Sequence, residues 1–379
     1  MSPPNLNTPA VFCSAAATGT AAVLIFSVMP VLIGGFAEQF QLSDAQAGLI
    51  ATSYFSSYAL VALSCPLWVR RFDWRVSIFL AYIALILGTQ CLALAVSYEQ
   101  ILISMAVAGL GAGILFPVSL TLAADTRRPE RTYALKIMPE QLIPAAILLI
   151  LAGLKATPGD YVITLAVGTL LLCALGSLGM PDKGLTTTRV SEAGTDVGWG
   201  VLGLIALAVS FAGYAGLWVF FERIATQLEF SDTFTQTWLA VGLVMSGIGP
   251  LFAAIYANRF GYAKPIIGGT LIAVTAMALL AFEIDKLRFA IVLIILPLAY
   301  YVMITYMMAV IAGVDKTGKI SGLMSFALAI GAGVGPAAFG ALNDAALSPL
   351  AIMIIGVGLG SVLILWVIQS DTLRQEQAE

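Results

Sequence analysis

Histidine is missing from all 379 residues, and only 10% of them are charged. Without imidazole there is no ready ligand set for zinc or for a haem of the common type, and no His-based catalytic triad. Cys13, Cys65, Cys91 and Cys173 lie far apart in apolar surroundings without metal-type spacing. They read as buried, inert thiols. Ser, Asp and Cys do not cluster in the apolar segments, so no catalytic set emerges and an enzyme is not expected. The Lys and Arg residues occupy thin loops and build no extended patch, which argues against nucleic acid as a partner. A phosphate loop would need a preceding strand and a closing Lys, and the Gly-rich runs have neither.

What the chain does have is apolar length. It is 60% hydrophobic, with mean hydropathy +0.98 and 36 glycines. A soluble domain cannot hide that much apolar surface, so the lipid bilayer is the expected solvent. Twelve runs long enough to cross it occupy roughly 11–36, 45–68, 76–97, 101–124, 136–155, 160–179, 199–226, 235–257, 265–284, 289–312, 320–343 and 349–369. The first is too long for a cleaved signal peptide and is expected to persist as a helix.

Basic residues orient these spans. Arg70, Arg71, Arg75, Arg127, Arg128, Arg131, Lys136, Lys183, Arg189, Arg259, Lys264, Lys316, Lys319 and Arg374 fall on one side, against Lys155, Lys286 and Arg288 on the other. This 14-to-3 bias places both termini in the cytoplasm, in agreement with an even number of spans. One long polar stretch, 181–198, separates six spans from six and reads as a cytoplasmic linker. It divides the chain into halves 1–180 and 199–379.

The halves echo each other. Arg71-Phe72-Asp73-Trp74-Arg75 returns in outline as Arg259-Phe260-Gly261-Tyr262-Ala263-Lys264, and 259 − 71 = 188 residues. Parallel duplication of this kind is a layout of secondary carriers. With twelve spans, a central linker and paired loops after the second and eighth, the whole chain resembles the major facilitator superfamily. The family's loop signature is roughly Gly-x-Leu-x-Asp-Arg-x-Gly-Arg-Arg. Here Pro66-Leu67-Trp68-Val69-Arg70-Arg71-Phe72-Asp73-Trp74-Arg75 keeps the basic cluster with Val69 at the acid, and Asn258-Arg259-Phe260-Gly261 has Asn there.

The resemblance implies two pseudo-symmetric six-helix bundles, with Arg70, Arg71, Arg75, Arg259 and Lys264 as a cytoplasmic gate that binds helix ends and neighbouring acids. The same loop cations also serve as topology signals. Drug antiporters of the family usually carry an Arg in the fourth span, where this chain has Met105, and a Gly-rich signature in the fifth. The fifth span instead reads Ile137-Met138-Pro139-Glu140-Gln141-Leu142-Ile143-Pro144, while Gly331-x-Gly333-x-Gly335-Pro336 lies in the eleventh. Multidrug efflux is therefore the weaker expectation.

Intramembrane charge is costly and calls for a reason. Glu140, between Pro139 and Pro144, is a candidate proton carrier; the plainer alternative is an i, i−4 pair with Lys136 at the membrane edge. On the seventh span Ser210, Tyr214, Trp218 and Glu222 recur at four-residue spacing and share one stripe, beside Phe211 and Phe221. The resemblance places the first, fourth, seventh and tenth spans along a central pathway. Tyr214 and Trp218 are then substrate-binding candidates, by apolar burial and cation–π contact, and Glu222 a second proton carrier. The alternative is packing for the aromatics and outer water for Glu222. Arg223 lies about 100° around the helix and should anchor outside or pair with another span. Phe26 before Met29-Pro30, Phe116 before Pro117, Gln141, and Tyr300 and Met303 on the tenth span complete the substrate-binding candidates, with Tyr301, Tyr306, Met307 and Met308 nearby. Ordinary core packing accounts equally well for the Tyr and Met residues.

The expectation is an inner-membrane secondary transporter, a monomer without cofactor or bound metal, moving a small, partly apolar organic solute by alternating access. Proton coupling is the expected drive. Efflux of amphiphiles, or a non-transporting sensor or scaffold, are the alternatives.

Overall fold

Every apolar run folds as one helix, because a backbone in lipid must satisfy its own N–H and C=O groups. The structure, a computed structural model, describes residues 6, 8–126, 129–154, 158–183, 197–256, 259, 261–315 and 320–378. Its helices are α1 Pro9–Gln39, α2 Asp44–Trp68, α3 Trp74–Leu92, α4 Tyr98–Ala124, α5 Pro129–Leu154 and α6 Pro158–Gly176, followed by α7 Val197–Gln227, α8 Asp232–Tyr256, α9 Ala263–Ala278, α10 Lys286–Val314, α11 Met324–Asp344 and α12 Pro349–Ala378. No strand occurs among the described residues. Polar caps set the helix starts: Thr8 ahead of Pro9, Ser43 in a capping box with Gln46, Asp73, Ser97 and Asp285. All twelve spans are long and apolar enough to cross a membrane. Their outward faces carry bare Leu, Ile and Val, such as Leu60, Leu94, Leu172, Ile255 and Leu271, where lipid takes the place of water.

The duplication is visible in the helix limits. α1 and α7 begin and end 188 residues apart (197 − 9 and 227 − 39), as do α2 and α8 (232 − 44 and 256 − 68). Helices α1–α6 form one bundle and α7–α12 the other. The two meet where α2 packs on α11, α5 on α8 and α1 on α7. Most of the predicted linker falls on 184–196, outside the described residues.

Small residues let these helices close up, since apolar lipid gives no net drive for burying more side chain. Gly109 and Gly113 admit the α2 backbone at Tyr54 and Tyr58, and Gly111 admits α3 at Ala81. In α11, Gly331 and Gly335 abut α7 at Ala208 and Ala212, while Gly333 takes Phe55 of α2, with a Cβ there only 3.2 Å from the Phe55 Cβ. Thr52 of α2 donates to the Gly333 carbonyl at 2.7 Å. At Gly340 of α11 any side chain would strike the Asp44 carbonyl, whereas Gly358 of α12 faces open space. Gly340→Val is therefore expected to lower the thermal midpoint of the detergent-solubilised protein by more than about 5 °C, and Gly358→Ala to leave it unchanged or raise it slightly, as the better helix former. Equal effects of the two substitutions in a thermal melt would refute this account of the α2–α11 seam.

Candidate functional site

Three places along α1 organise the interior. At Gly19, a Cβ would run into the Glu140 carboxylate and lie 2.7 Å from Lys136 Cε and 3.0 Å from its Nζ. Lys136 donates to Glu140 one turn along α5, and its ammonium stands 4.8 Å above the Phe116 ring of α4. Both members of the pair are buried, Lys136 with 2% of its surface exposed. Lys136 is therefore an interior cation and not, as its sequence position suggests, one of the loop cations. α5 begins at Pro129, eleven residues before Glu140 (140 − 129), so the carboxylate lies about 16 Å inside the helix rather than one turn. The pair predicted for a wet membrane edge does form, but in the dry interior. The next residue, Gln141, hydrogen-bonds to Ser246 of α8, so this stretch of α5 lies at the junction of the bundles.

Near the middle of α1 aromatic rings from both halves interlock. The Phe26 ring stands edge-on to Phe55 at 5.4 Å and beside Phe211 of α7 at 5.8 Å. Trp218 donates its indole N–H to the Phe26 carbonyl at 3.4 Å. The α7 stripe holds together as its spacing predicts: Tyr214 stacks on Tyr300 at 4.2 Å, Trp218 lies parallel to Tyr214, and Ser210 meets the Tyr300 hydroxyl at 3.4 Å. Gln141, next to Glu140, accepts from Ser246 of α8 at 2.7 Å and so bridges the bundles. Met303 does not join this group. It is turned toward α9 and α12, where Thr270 and Ser361 contact its sulfur and Gly269 its Cβ.

The third place is Gly34, where any side chain would collide with the Glu222 carboxylate. Glu222 is buried, accepts from Thr226 at 3.1 Å, and has Asp232 and Glu38 within electrostatic range. By the repeat, 34 + 188 = 222, so Gly34 and Glu222 are equivalent positions of the two halves. Equivalent positions can touch only where the pseudo-twofold axis passes between them. Glu222 therefore sits on the central axis. Gly19 and Gly34 are fifteen residues apart (34 − 19), about 22 Å along α1, so the two carboxylates flank the aromatic cluster from opposite ends. The amide of Gln236 on α8, with 1% exposure, has no hydrogen-bond partner among the described residues.

Beyond Glu222 a polar clasp joins the bundles. Asp44, at the start of α2, takes the Arg223 guanidinium and the Asn343 amide, and Arg223 also donates to the Leu42 carbonyl at 3.0 Å. Asp344 closes α11 and accepts the free N–H groups of Asp44 and Ala45, each at 3.0 Å, a carboxylate on a helix N-terminus. Arg223 thus pairs with a neighbouring span, one of its two predicted fates. The clasp itself escaped the sequence reading, because Asp44 and Asp344 look like ordinary helix-end polar residues.

At the opposite end Arg70 binds Asp125 at the end of α4, at 2.6 and 2.9 Å, and Arg75 donates to the Met180 carbonyl at 2.9 Å. Both bonds tie helices within the first bundle. Arg71, Arg259 and Lys264 are exposed. Arg127, Arg128, Lys155, Arg189, Lys316 and Lys319 lie outside the described residues. Cys65 and Cys173 are buried as predicted, but Cys13 and Cys91 are exposed on outward faces.

A shared aromatic interior between two duplicated six-helix bundles defines a multi-pass membrane carrier. The Major Facilitator Superfamily model matches residues 10–192 and 203–379, and the chain belongs to that family. The fold is similar to a bacterial homolog of the human lysosomal transporter Spinster in an inward-facing, unoccupied conformation. That match has TM-score 0.67 and 16% identity over 96% of this chain and 95% of the other. The occupied inward-facing form of that homolog gives TM-score 0.65 and 17% identity over 95% and 96%. FucP in its outward conformation gives TM-score 0.65 and 15% identity over 96% and 99%. No curated protein sequence matches the chain.

Arg223→Ala strips Asp44 of its cation and is expected to cost about 1.5–3 kcal/mol of stability. The Asp44→Ala, Arg223→Ala double variant should cost at least about 1 kcal/mol less than the sum of the singles, measured by denaturant unfolding in detergent. Additive losses would mean the two side chains act separately.

Proposed function

We propose that the protein is a secondary transporter that moves a small, partly apolar organic solute through the junction of its two bundles by alternating access. The observation that carries this reading is the aromatic cluster contributed by both halves. Phe26 and Phe55 on one side, and Phe211, Tyr214, Trp218 and Tyr300 on the other, meet across the interface that bundle rocking must open. Rings of this kind give an apolar solute a large contact area at low entropic cost, and a cationic group about 0.5–2 kcal/mol more. Phe116 and Gln141 extend the same surface. Arg70, Arg71, Arg75, Arg259 and Lys264 gather at the end that carries the termini, which the positive-inside rule assigns to the cytoplasm of an inner-membrane protein. These five cations are the cytoplasmic gate of this reading, and the Arg70–Asp125 and Arg75–Met180 bonds brace its first-bundle side.

Glu140 and Glu222 support proton coupling in this proposal. Each is buried, each is cleared by a glycine of α1, and they stand on opposite sides of the rings. A proton entering from either compartment meets a carboxylate before it meets the aromatic cluster. The protein acts as a monomer, since both faces of the pathway come from one chain.

A thermal-shift screen of detergent-purified protein against organic acids, amines, sugars and drug-like compounds should return a stabilising ligand whose effect Trp218→Ala abolishes. A ligand shift that survives Trp218→Ala would move the site elsewhere. In proteoliposomes, Glu140→Gln with Glu222→Gln should end uphill uptake driven by a proton gradient while counterflow persists. Uphill uptake that still collapses with the gradient would remove both carboxylates from the coupling.

A further inference from the structure

The buried Lys136 does more than the transport reading requires. It is fixed between α1, α4 and α5, with Gly19 on one side and the Phe116 ring on another, and Glu140 is its hydrogen-bond acceptor among the described residues. An ammonium offers three donors. Aromatic rings stand close by: Phe116 under the ammonium and Tyr58 next to Phe116 at 6.5 Å, with Tyr301 of α10 within electrostatic range of Glu140. At the equivalent positions of the second half, 136 + 188 = 324 and 140 + 188 = 328, the chain has Met324 and Leu328. The same fold position is thus filled by apolar residues where no charge pair is present, so packing does not demand the pair.

Removing one partner from a buried ion pair leaves an uncompensated charge, which is far more costly than removing both. If Glu140 takes up a proton from bulk water, Lys136 keeps its charge and needs another anion. The geometry points to an organic monocarboxylate with an aromatic or apolar body as the transported solute, its carboxylate taking the place of Glu140 on the Lys136 ammonium. This rests on the transport reading above and narrows its substrate class. One cation matches one negative charge, and a dianion would bring a second with no partner. The carboxylate would stand at Lys136 and the body against Phe116, Tyr58 and the ring cluster around Phe26. One proton on Glu140 and one carboxylate on Lys136 then leave the loaded site as neutral as the empty one. Besides Lys136, the titratable groups within electrostatic range of Glu140 among the described residues are Tyr58 on α2 and Tyr301 on α10, while α1 presents Gly19 and α4 presents Phe116.

The test is direct binding and proteoliposome uptake by the full-length protein, using matched sets of arylcarboxylates, their amides and the corresponding amines, with one and two rings. The wild type should bind the acids at least tenfold more tightly than the amides. Glu140→Gln should tighten acid binding and remove its dependence on pH. The double variant Lys136→Met, Glu140→Leu installs the residues of the second half and keeps the site neutral, so folding is preserved. It should bind acid and amide alike. Acids no better than amides in the wild type, or an acid preference that persists in the double variant, would overturn the carboxylate assignment. If the amides or amines still bind through Trp218, the transport reading stands without it. If no member of any set binds or is taken up, both fall.

Discussion

Helix α1 is the member on which the interior depends, and the constraint is steric. It belongs to the first bundle, packs against α7 of the second, and offers bare backbone at two points, Gly19 and Gly34, where any side chain would overlap a buried carboxylate. Between them Phe26 does the reverse and fills the space, touching Phe55 of its own half and Phe211 of the other. A helix that alternates absence and bulk in this way places charge, rings and charge in sequence along one line. Charge in lipid is tolerated only toward the protein interior or a water-filled cavity, so this one helix decides where ionisable groups survive.

The two lateral seams are built differently. Along α2 and α11, glycines bring backbone against backbone, and the far end is fastened by Asp44, Arg223, Asn343 and Asp344. Along α5 and α8 the described bonds between helices are Gln141 to Ser246 and the longer contact of Thr233 to the Ala152 carbonyl, 3.4 Å. Thr233 and Ala152 are the repeat equivalents of Ala45 and Gly340 (233 − 188 and 340 − 188). Among the described residues, the same place in the fold is a polar clasp on one side and one long hydrogen bond on the other. Rocking of the bundles therefore meets unequal resistance at its two edges.

Much of this was legible in the sequence. Twelve apolar runs, the 188-residue offset and the four-residue stripe on α7 needed only length and periodicity, and each has its counterpart in the helices. What stayed hidden has particular causes. The fifth apolar span does begin at Lys136, but its helix already starts at Pro129, and the packing of α1 and α4 that buries Lys136 leaves no trace in the local sequence. Met303 lies on a helix apolar on every side, so periodicity could not show which way it faces. Asp44 and Asp344 stand 300 residues apart, and their meeting depends on how two bundles dock, which no local pattern encodes.

Gly34 facing Glu222 bears on how a duplicated gene can become a working carrier. An ancestor joined from two identical copies would set the same side chain against itself on the symmetry line. Two glutamates there would collide and repel; two glycines would leave a gap without chemistry. Only after the copies drifted apart at this point could a lone acid occupy the centre. The difference between the halves at this one position is thus what a central acid requires, whatever likeness the rest of the two sequences keeps.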